Sequence, residues 1–217
     1  MSASGRISYA PLILQCCDVP SEPVPIQSRP LVLASQSPRR GEILRLAGIE
    51  FVTRPASVDE TPRVGERPED YVRRLAQAKA LAVEATPDEI VLGADTTVVA
   101  GGLIFGKPAD AREARHMLVR LSGRRHDVLT GICLRQGRRI ISDWGSTQVW
   151  FTTMTRREVH DYVASGEPMD KAGGYAIQGI ASRYVERIEG CYFNVVGLPM
   201  ALVYRHLREL CGPSAGE

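Results

Sequence analysis

The stretch Leu31-Val-Leu-Ala-Ser-Gln-Ser-Pro-Arg-Arg40 decides how this chain begins to fold. Leu31-Val-Leu-Ala34 reads as a short buried strand. Ser37 stands at a helix N-cap, and Pro38 takes the first helical position, where a missing N–H costs nothing. Ile43, Leu44 and Ala47 then recur at helical spacing from Arg39 to Ala47, and Gly48 supplies the stop. Two arginines and two serines thus converge on a helix N-terminus, whose unpaired N–H groups suit a phosphate. The same ten residues also read as an ordinary capped helix with solvated arginines, so the rest of the chain has to decide.

From Leu31 onward strands and helices alternate. Phe51–Arg54 reads as a strand and Pro68–Ala85 as an amphipathic helix with Val72, Leu75, Ala76, Ala80 and Val83 on one side. Glu89–Asp95 is an apolar strand, and Val98–Phe105 forms a hairpin through Gly101-Gly102. Asp110 with Glu113, and Thr155 with Glu158, mark two helix starts, the helices ending near Ser122-Gly123 and at Gly166. Val128–Leu134 and Arg139–Phe151 make a long hairpin around Gln136-Gly137. A strand at Ser182–Ile188 and a helix at Leu198–Leu210 close the pattern. With no internal repeat, this is one α/β domain over residues 30–212, expected to carry a cleft between two lobes.

Residues 1–29 differ, with prolines at 11, 20, 23 and 25 and little periodicity, and read as a flexible arm dispensable to chemistry. Residues 213–217 read as a short tail. The apolar piece Ala10–Leu14 is too short, and broken by proline, for a secretory segment or a membrane span. At 217 residues and 44% hydrophobic the chain can bury one good core, and a net charge of +2 gives no reason to expect nucleic-acid or membrane binding. The cysteines, Cys16, Cys17, Cys133, Cys191 and Cys211, are odd in number and lack metal-ligand spacing, which favours a reducing compartment. The four histidines are scattered and none has a zinc-type partner.

Of 27 basic residues only Lys79, Lys107 and Lys171 are lysines, and each falls in a segment notable on other grounds. In an arginine-biased chain such lysines mark places where a compact ammonium matters. Gly93-Ala-Asp-Thr96 puts Asp95 at the end of an apolar strand, where open α/β sheets place ligands; Asp95 as a turn former is the plain alternative. Asp59-Glu60 follows a strand and either faces the cleft or is a solvated turn. Gly106-Lys-Pro108 either aims one ammonium or is a simple loop. Met169–Gly179 is glycine-rich and long enough to be functional. No segment matches a P-loop or a dinucleotide-binding turn.

Taken together, Ala34-Ser-Gln-Ser-Pro-Arg-Arg40, Leu92-Gly-Ala-Asp-Thr96, Gly106-Lys-Pro108, Leu121-Ser-Gly123, Glu167-Pro-Met-Asp-Lys-Ala-Gly173, Ile177-Gln-Gly179 and Val196-Gly-Leu-Pro199 resemble, in order, the motifs of the Maf family of nucleoside triphosphate pyrophosphatases. Two small departures are Gly174 and Ala176, where relatives commonly carry alanine and glycine. The resemblance covers Leu31 to about Leu210. It implies a mixed twisted sheet flanked by helices, with a nucleotide-binding cleft. It also implies hydrolysis of a nucleoside triphosphate between the α- and β-phosphates, a divalent cation (Mg²⁺ or Mn²⁺), a cytoplasmic protein and, as in many relatives, a homodimer. Removal of modified pyrimidine nucleotides is a role such an activity could serve. A division regulator acting through protein contacts, with catalysis secondary, is the alternative that the family's link to septum formation suggests.

The residue chemistry fits the enzymatic reading. A triphosphate brings about four negative charges, and phosphoryl transfer is catalysed mainly by positioning and neutralisation. Arg39, Arg40, Lys79 and Lys107 are candidates to grip phosphates, with Ser35 adding a donor. Glu60 and Asp95 are the candidate hard-oxygen metal ligands. The resemblance makes Asp95 the acceptor of the attacking water's proton; base, ligand or both stays open. Arg39, Thr96 and Gln178 match the residues of the family branch that prefers dTTP and UTP over N7-methylated GTP. A glutamine amide, with both donor and acceptor, suits the edge of uracil or thymine, although it could equally tie its loop to the backbone.

Overall fold

The computed structural model describes residues 29–211, so the arm, Arg29 excepted, and the tail lie outside the described residues. The strands are β1 (Leu31–Leu33), β2 (Phe51–Thr53), β3 (Ile90–Ala100), β4 (Leu103–Phe105), β5 (Arg125–Gln136), β6 (Arg139–Phe151) and β7 (Val185–Glu189). The helices are α1 (Pro38–Leu46), α2 (Pro68–Leu81), α3 (Ala111–Leu121), α4 (Arg156–Ala164), α5 (Tyr192–Val196) and α6 (Met200–Cys211). One seven-stranded sheet runs β2-β1-β3-β5-β6-β7, with β4 paired to β3. β1 is parallel to β2 and β3, and the remaining pairs are antiparallel. The mixed α/β class expected from the sequence is the class observed.

The period-2 alternation of β3 and β5 organises everything around them. On one face Ile90, Leu92 and Ala94 of β3 join Ile132 and Leu134 of β5 in an apolar cluster closed by α1 and α6. Farther along the same face Val98 and Val128 join a second cluster with α3, α4 and Tyr175. Thr96 and Thr130, opposite one another in the ladder, interrupt the apolar run between the two. The expected two lobes are therefore two apolar clusters on one continuous sheet, separated by a polar belt. On the other face Val91, Gly93, Asp95 and Val99 meet α2, whose Val72, Leu75, Ala76 and Ala80 are fully buried.

That helix lies unusually close. A Cβ on Gly93 would stand 2.1 Å from the Ala76 carbonyl oxygen, and one on Gly131 would stand 2.3 Å from the Val72 carbonyl oxygen. Neither glycine has a positive φ, so both are required by the approach of the helix backbone and not by their own conformation.

Several boundaries depart from the sequence reading. α2 stops at Leu81 rather than near Ala85, because Arg135 of β5 takes the carbonyls of Ala80 (3.0 Å) and Val83 (2.6 Å) and caps the helix end. β3 does not end at Asp95 but continues to Ala100, since β5 pairs with it from Val91 to Val99 and β4 from Val98 to Ala100. The last strand begins at Val185 and not Ser182, the preceding residues Ile180–Tyr184 winding into a 3₁₀ turn. The five-residue α5 is too short for periodicity to announce. Ser37 holds the N-cap position without a side-chain cap; its N–H instead donates to Ser35 Oγ at 3.2 Å.

Overpacking a backbone contact costs about 1–3 kcal/mol. Gly131→Ala, which removes no polar group, is expected to lower unfolding free energy by that amount in urea titrations as α2 is pushed from the sheet. Unchanged stability would show that α2 does not need this contact.

Candidate active site

β1 pairs with β3 only as far as Leu92, where Ala34 N–H donates to the Leu92 carbonyl at 2.8 Å, and β4 joins the same edge only at Val98. Between them Gly93–Thr97 has no neighbouring strand on that side. A cleft of about 590 Å³ opens over this gap, past the carboxyl end of β1. Asp95 thus lies in mid-strand, yet it still faces the crevice its motif suggested.

Asp95 is 6% exposed, and its Oδ1 accepts a hydrogen bond from Lys79 Nζ at 2.6 Å. Lys79 comes from α2, seated by the close contact at Gly93 and Gly131. The same ammonium lies 2.7 Å from Glu60 Oε1. Glu60 arrives on the segment after β2, which α2 also holds. Tyr71 donates to the Glu60 carbonyl at 2.9 Å, and Arg74 clamps Glu66 at 2.6 and 2.7 Å while donating to the Thr61 carbonyl. The neighbouring acids part company here. Asp59 accepts from Thr61 N–H and shapes the turn, whereas Glu60 enters the cleft.

Burial raises the Asp95 carboxyl above its ordinary value, and the Lys79 and Arg40 charges only partly oppose it. Burial also pulls Glu60 upward, but Lys79, with Lys107 and Arg40 beyond, leaves that group below its ordinary value. Two neighbouring carboxylates are therefore pushed in opposite directions, a pattern characteristic of working sites.

Arg40 faces inward from α1. It is 8% exposed, and its guanidinium donates to Gly197 O (2.8 Å), Ser35 Oγ (2.9 Å) and Thr96 Oγ1 (3.1 Å). Burial presses its pKa below the usual arginine range. Thr96 Oγ1 in turn lies 3.0 Å from Thr130 Oγ1, which donates to Asn194 O. Arg40, Ser35 and Thr96 thus belong to the polar belt forming the cleft floor. Arg39 points the other way, to the rim, with Nη1 3.6 Å from Asp170 Oδ2. Lys107 is exposed at the cleft and has no ion pair among the described residues. Gln178 is exposed and lines the cleft, and its side-chain amide has no protein hydrogen bond among the described residues, so it does not tie its own loop.

All nine candidate residues line this one cleft. The sequence reading missed Thr130, Asn194 and Gly197 of the belt and Asp170 at the rim. A hydroxyl inside the apolar run Val128–Leu134 was the available signal for the first. Tyr175 also lines the cleft, buried against His126, whose Nε2 lies 2.8 Å from the phenol oxygen.

The carboxylates fit a hard divalent cation. Glu60 and Asp95 converge on one cationic centre, and each leaves its second oxygen without a protein partner among the described residues. Mg²⁺ is commonly held by one or two carboxylates with waters and substrate phosphates completing the shell. No larger cluster of potential metal ligands occurs among the described residues.

Fold and site together define an α/β protein with a cationic cleft, equipped with a buried carboxylate, for a phosphorylated ligand. The sequence matches the Maf family, described as Maf-like protein, over residues 30–210, and the chain belongs to that family. It is 50% identical over 179 residues to a protein of Koribacter versatilis named dTTP/UTP pyrophosphatase, covering 82% of this chain and 93% of that one. A protein of the same name from Anaeromyxobacter dehalogenans is 50% identical over 191 residues, covering 86% and 97%. A third, from Symbiobacterium thermophilum, is 51% identical over 171 residues, covering 78% and 88%. No helix among the described residues is long and apolar enough to cross a membrane.

The cleft wall carries its own acid sensitivity. Burial holds the His126 imidazole down at about 4. The folded state therefore disfavours protonation, and the stabilisation is complete above about pH 6.5 and lost as pH falls toward 4. Tm is expected to fall over that window in the wild type and to fall less in His126→Gln, measured by calorimetry; identical slopes would remove His126 from the explanation.

Proposed function

We propose that this chain hydrolyses nucleoside triphosphates between the α- and β-phosphates, releasing the nucleoside monophosphate and pyrophosphate, with dTTP and UTP preferred. The observation that carries the reading is Asp95, a buried carboxylate on the floor of a cation-rimmed cleft, held by one lysine in a gap of the sheet. The names of the relatives at about half identity support the same substrates.

In this mechanism Arg39 and Lys107 engage the polyphosphate, and the N-terminal turn of α1 adds backbone donors. Lys79 neutralises charge at the floor while keeping Asp95 oriented. Arg40 acts through Ser35, Thr96 and Gly197, fixing the floor on which the phosphates rest. Asp95 takes the proton of the water that attacks the anhydride, and its raised pKa brings it closer to neutral pH, where a general base is most effective. A divalent cation held by Glu60 and Asp95 would neutralise phosphate charge and acidify water. Gln178 offers its free amide to the pyrimidine edge.

Asp95→Asn preserves size and removes the basic oxygen. Turnover should drop more than tenfold, about 1.4 kcal/mol of barrier, with fold and nucleotide binding largely retained. Steady-state kinetics on dTTP, UTP, CTP, GTP and 7-methyl-GTP, with and without chelator, test the substrate assignment. The highest kcat/KM is expected for dTTP or UTP, and a highest value for 7-methyl-GTP would overturn it.

A further inference from the structure

The loop that presents Gln178 is tied down by a carboxylate the proposed chemistry does not use. Glu167, at the start of the 3₁₀ turn Glu167–Asp170, sends its side chain back beneath the loop. Its Oε2 accepts from Ile180 N–H at 2.9 Å, and its Oε1 accepts from the Tyr162 hydroxyl at 2.8 Å and from Ala181 N–H at 3.4 Å. The Tyr162 oxygen also accepts from Ala176 N–H at 3.3 Å. One carboxylate and one phenol therefore hold the backbone on both sides of Gln178.

Gly179 supplies a separate line of support. Its φ of −104° is open to any residue, so conformation does not call for glycine. A Cβ there would instead stand 2.4 Å from both carboxylate oxygens of Glu167. The residue after Gln178 lacks a side chain because the Glu167 carboxylate fills that space. Lys171, the third lysine, donates to the Glu167 carbonyl at 2.7 Å and fixes the other end of the same residue.

We infer that Glu167 is a positioning residue for pyrimidine selection, holding the Ala176–Ala181 loop so that Gln178 meets the base at a fixed height and angle. The inference rests on Gln178 as the base reader proposed above. A glutamine has three rotatable side-chain bonds and interchangeable donor and acceptor ends, so it distinguishes uracil from cytosine only when the backbone beneath it is immobile. Uracil and cytosine present opposite donor and acceptor patterns at that edge, which makes UTP against CTP the sensitive pair.

In Glu167→Gln the side chain keeps its size, but an amide cannot serve all three donors. With UTP, KM should rise about tenfold while kcat changes little, and the UTP/CTP ratio of kcat/KM should fall toward that of Gln178→Ala. In the double variant that ratio should fall no further than in Gln178→Ala alone. Gly179→Ala, which evicts the carboxylate instead of removing it, should give the same change and serves if Glu167→Gln folds poorly. Amide exchange at Ile180 and Ala181, read on the free protein, should be at least about tenfold faster in Glu167→Gln. An unchanged UTP/CTP ratio, full additivity with Gln178→Ala, or unchanged exchange would overturn the positioning role. A wild-type enzyme without pyrimidine preference would overturn the base-reading assignment instead, leaving the exchange data to decide the anchor.

Discussion

The contact between α2 and the sheet at Gly93 and Gly131 sets the position of the Asp95, Lys79 and Glu60 centre of the cleft. With side chains at either place the helix would ride higher, and the Lys79 ammonium would no longer reach Asp95 in the middle of β3. The same helix holds the Glu60 segment through Tyr71 and Arg74, so both carboxylates are placed relative to one rigid element. Desolvation of Asp95 follows from that contact, since α2 covers the strand face from which its side chain projects. The raised carboxyl, the depressed Glu60 and the oriented lysine are consequences of one close packing.

On the opposite face the belt of Arg40, Thr96, Thr130 and Asn194 solves a different problem. Two apolar clusters meet there, and a cleft must open between them without exposing either. A buried guanidinium is costly unless its donors are used, and Arg40 uses them on a hydroxyl of the strand, a hydroxyl of the first loop and a carbonyl before α6. The belt therefore ties β3, α1 and the Val196–Pro199 segment together at the floor of the cleft. Of the adjacent arginines, one faces inward to hold the floor and the other faces the rim near Asp170.

Much of this was legible in the sequence. The Ser-Pro-Arg-Arg turn announced a strand and a helix, and the three lysines singled out by composition all line the cleft. The alternation along β3 and β5 and the turn glycines marked the sheet. What stayed hidden depended on contacts distant in sequence. Asp95 looks like a strand end because polar residues follow an apolar run, yet it is the absence of a strand on the β1 side of Gly93–Thr97 that opens the site. Arg40 and Arg39 are adjacent letters with opposite orientations, which a linear reading does not separate. Glu167 appeared as part of a motif, but its tie to Ile180 and Ala181 exists only once the chain doubles back.

We propose that the Lys79–Asp95 pair at the floor of this cleft performs the hydrolysis of a pyrimidine nucleoside triphosphate at its α–β anhydride. The measurement is ³¹P NMR of dTTP with the wild-type protein and with Lys79→Met, circular dichroism confirming that both are folded. Accumulation of dTMP and pyrophosphate is expected with the wild type, slowed by more than about tenfold in Lys79→Met. Release of dTDP and phosphate, or turnover by Lys79→Met at the wild-type rate, would contradict it.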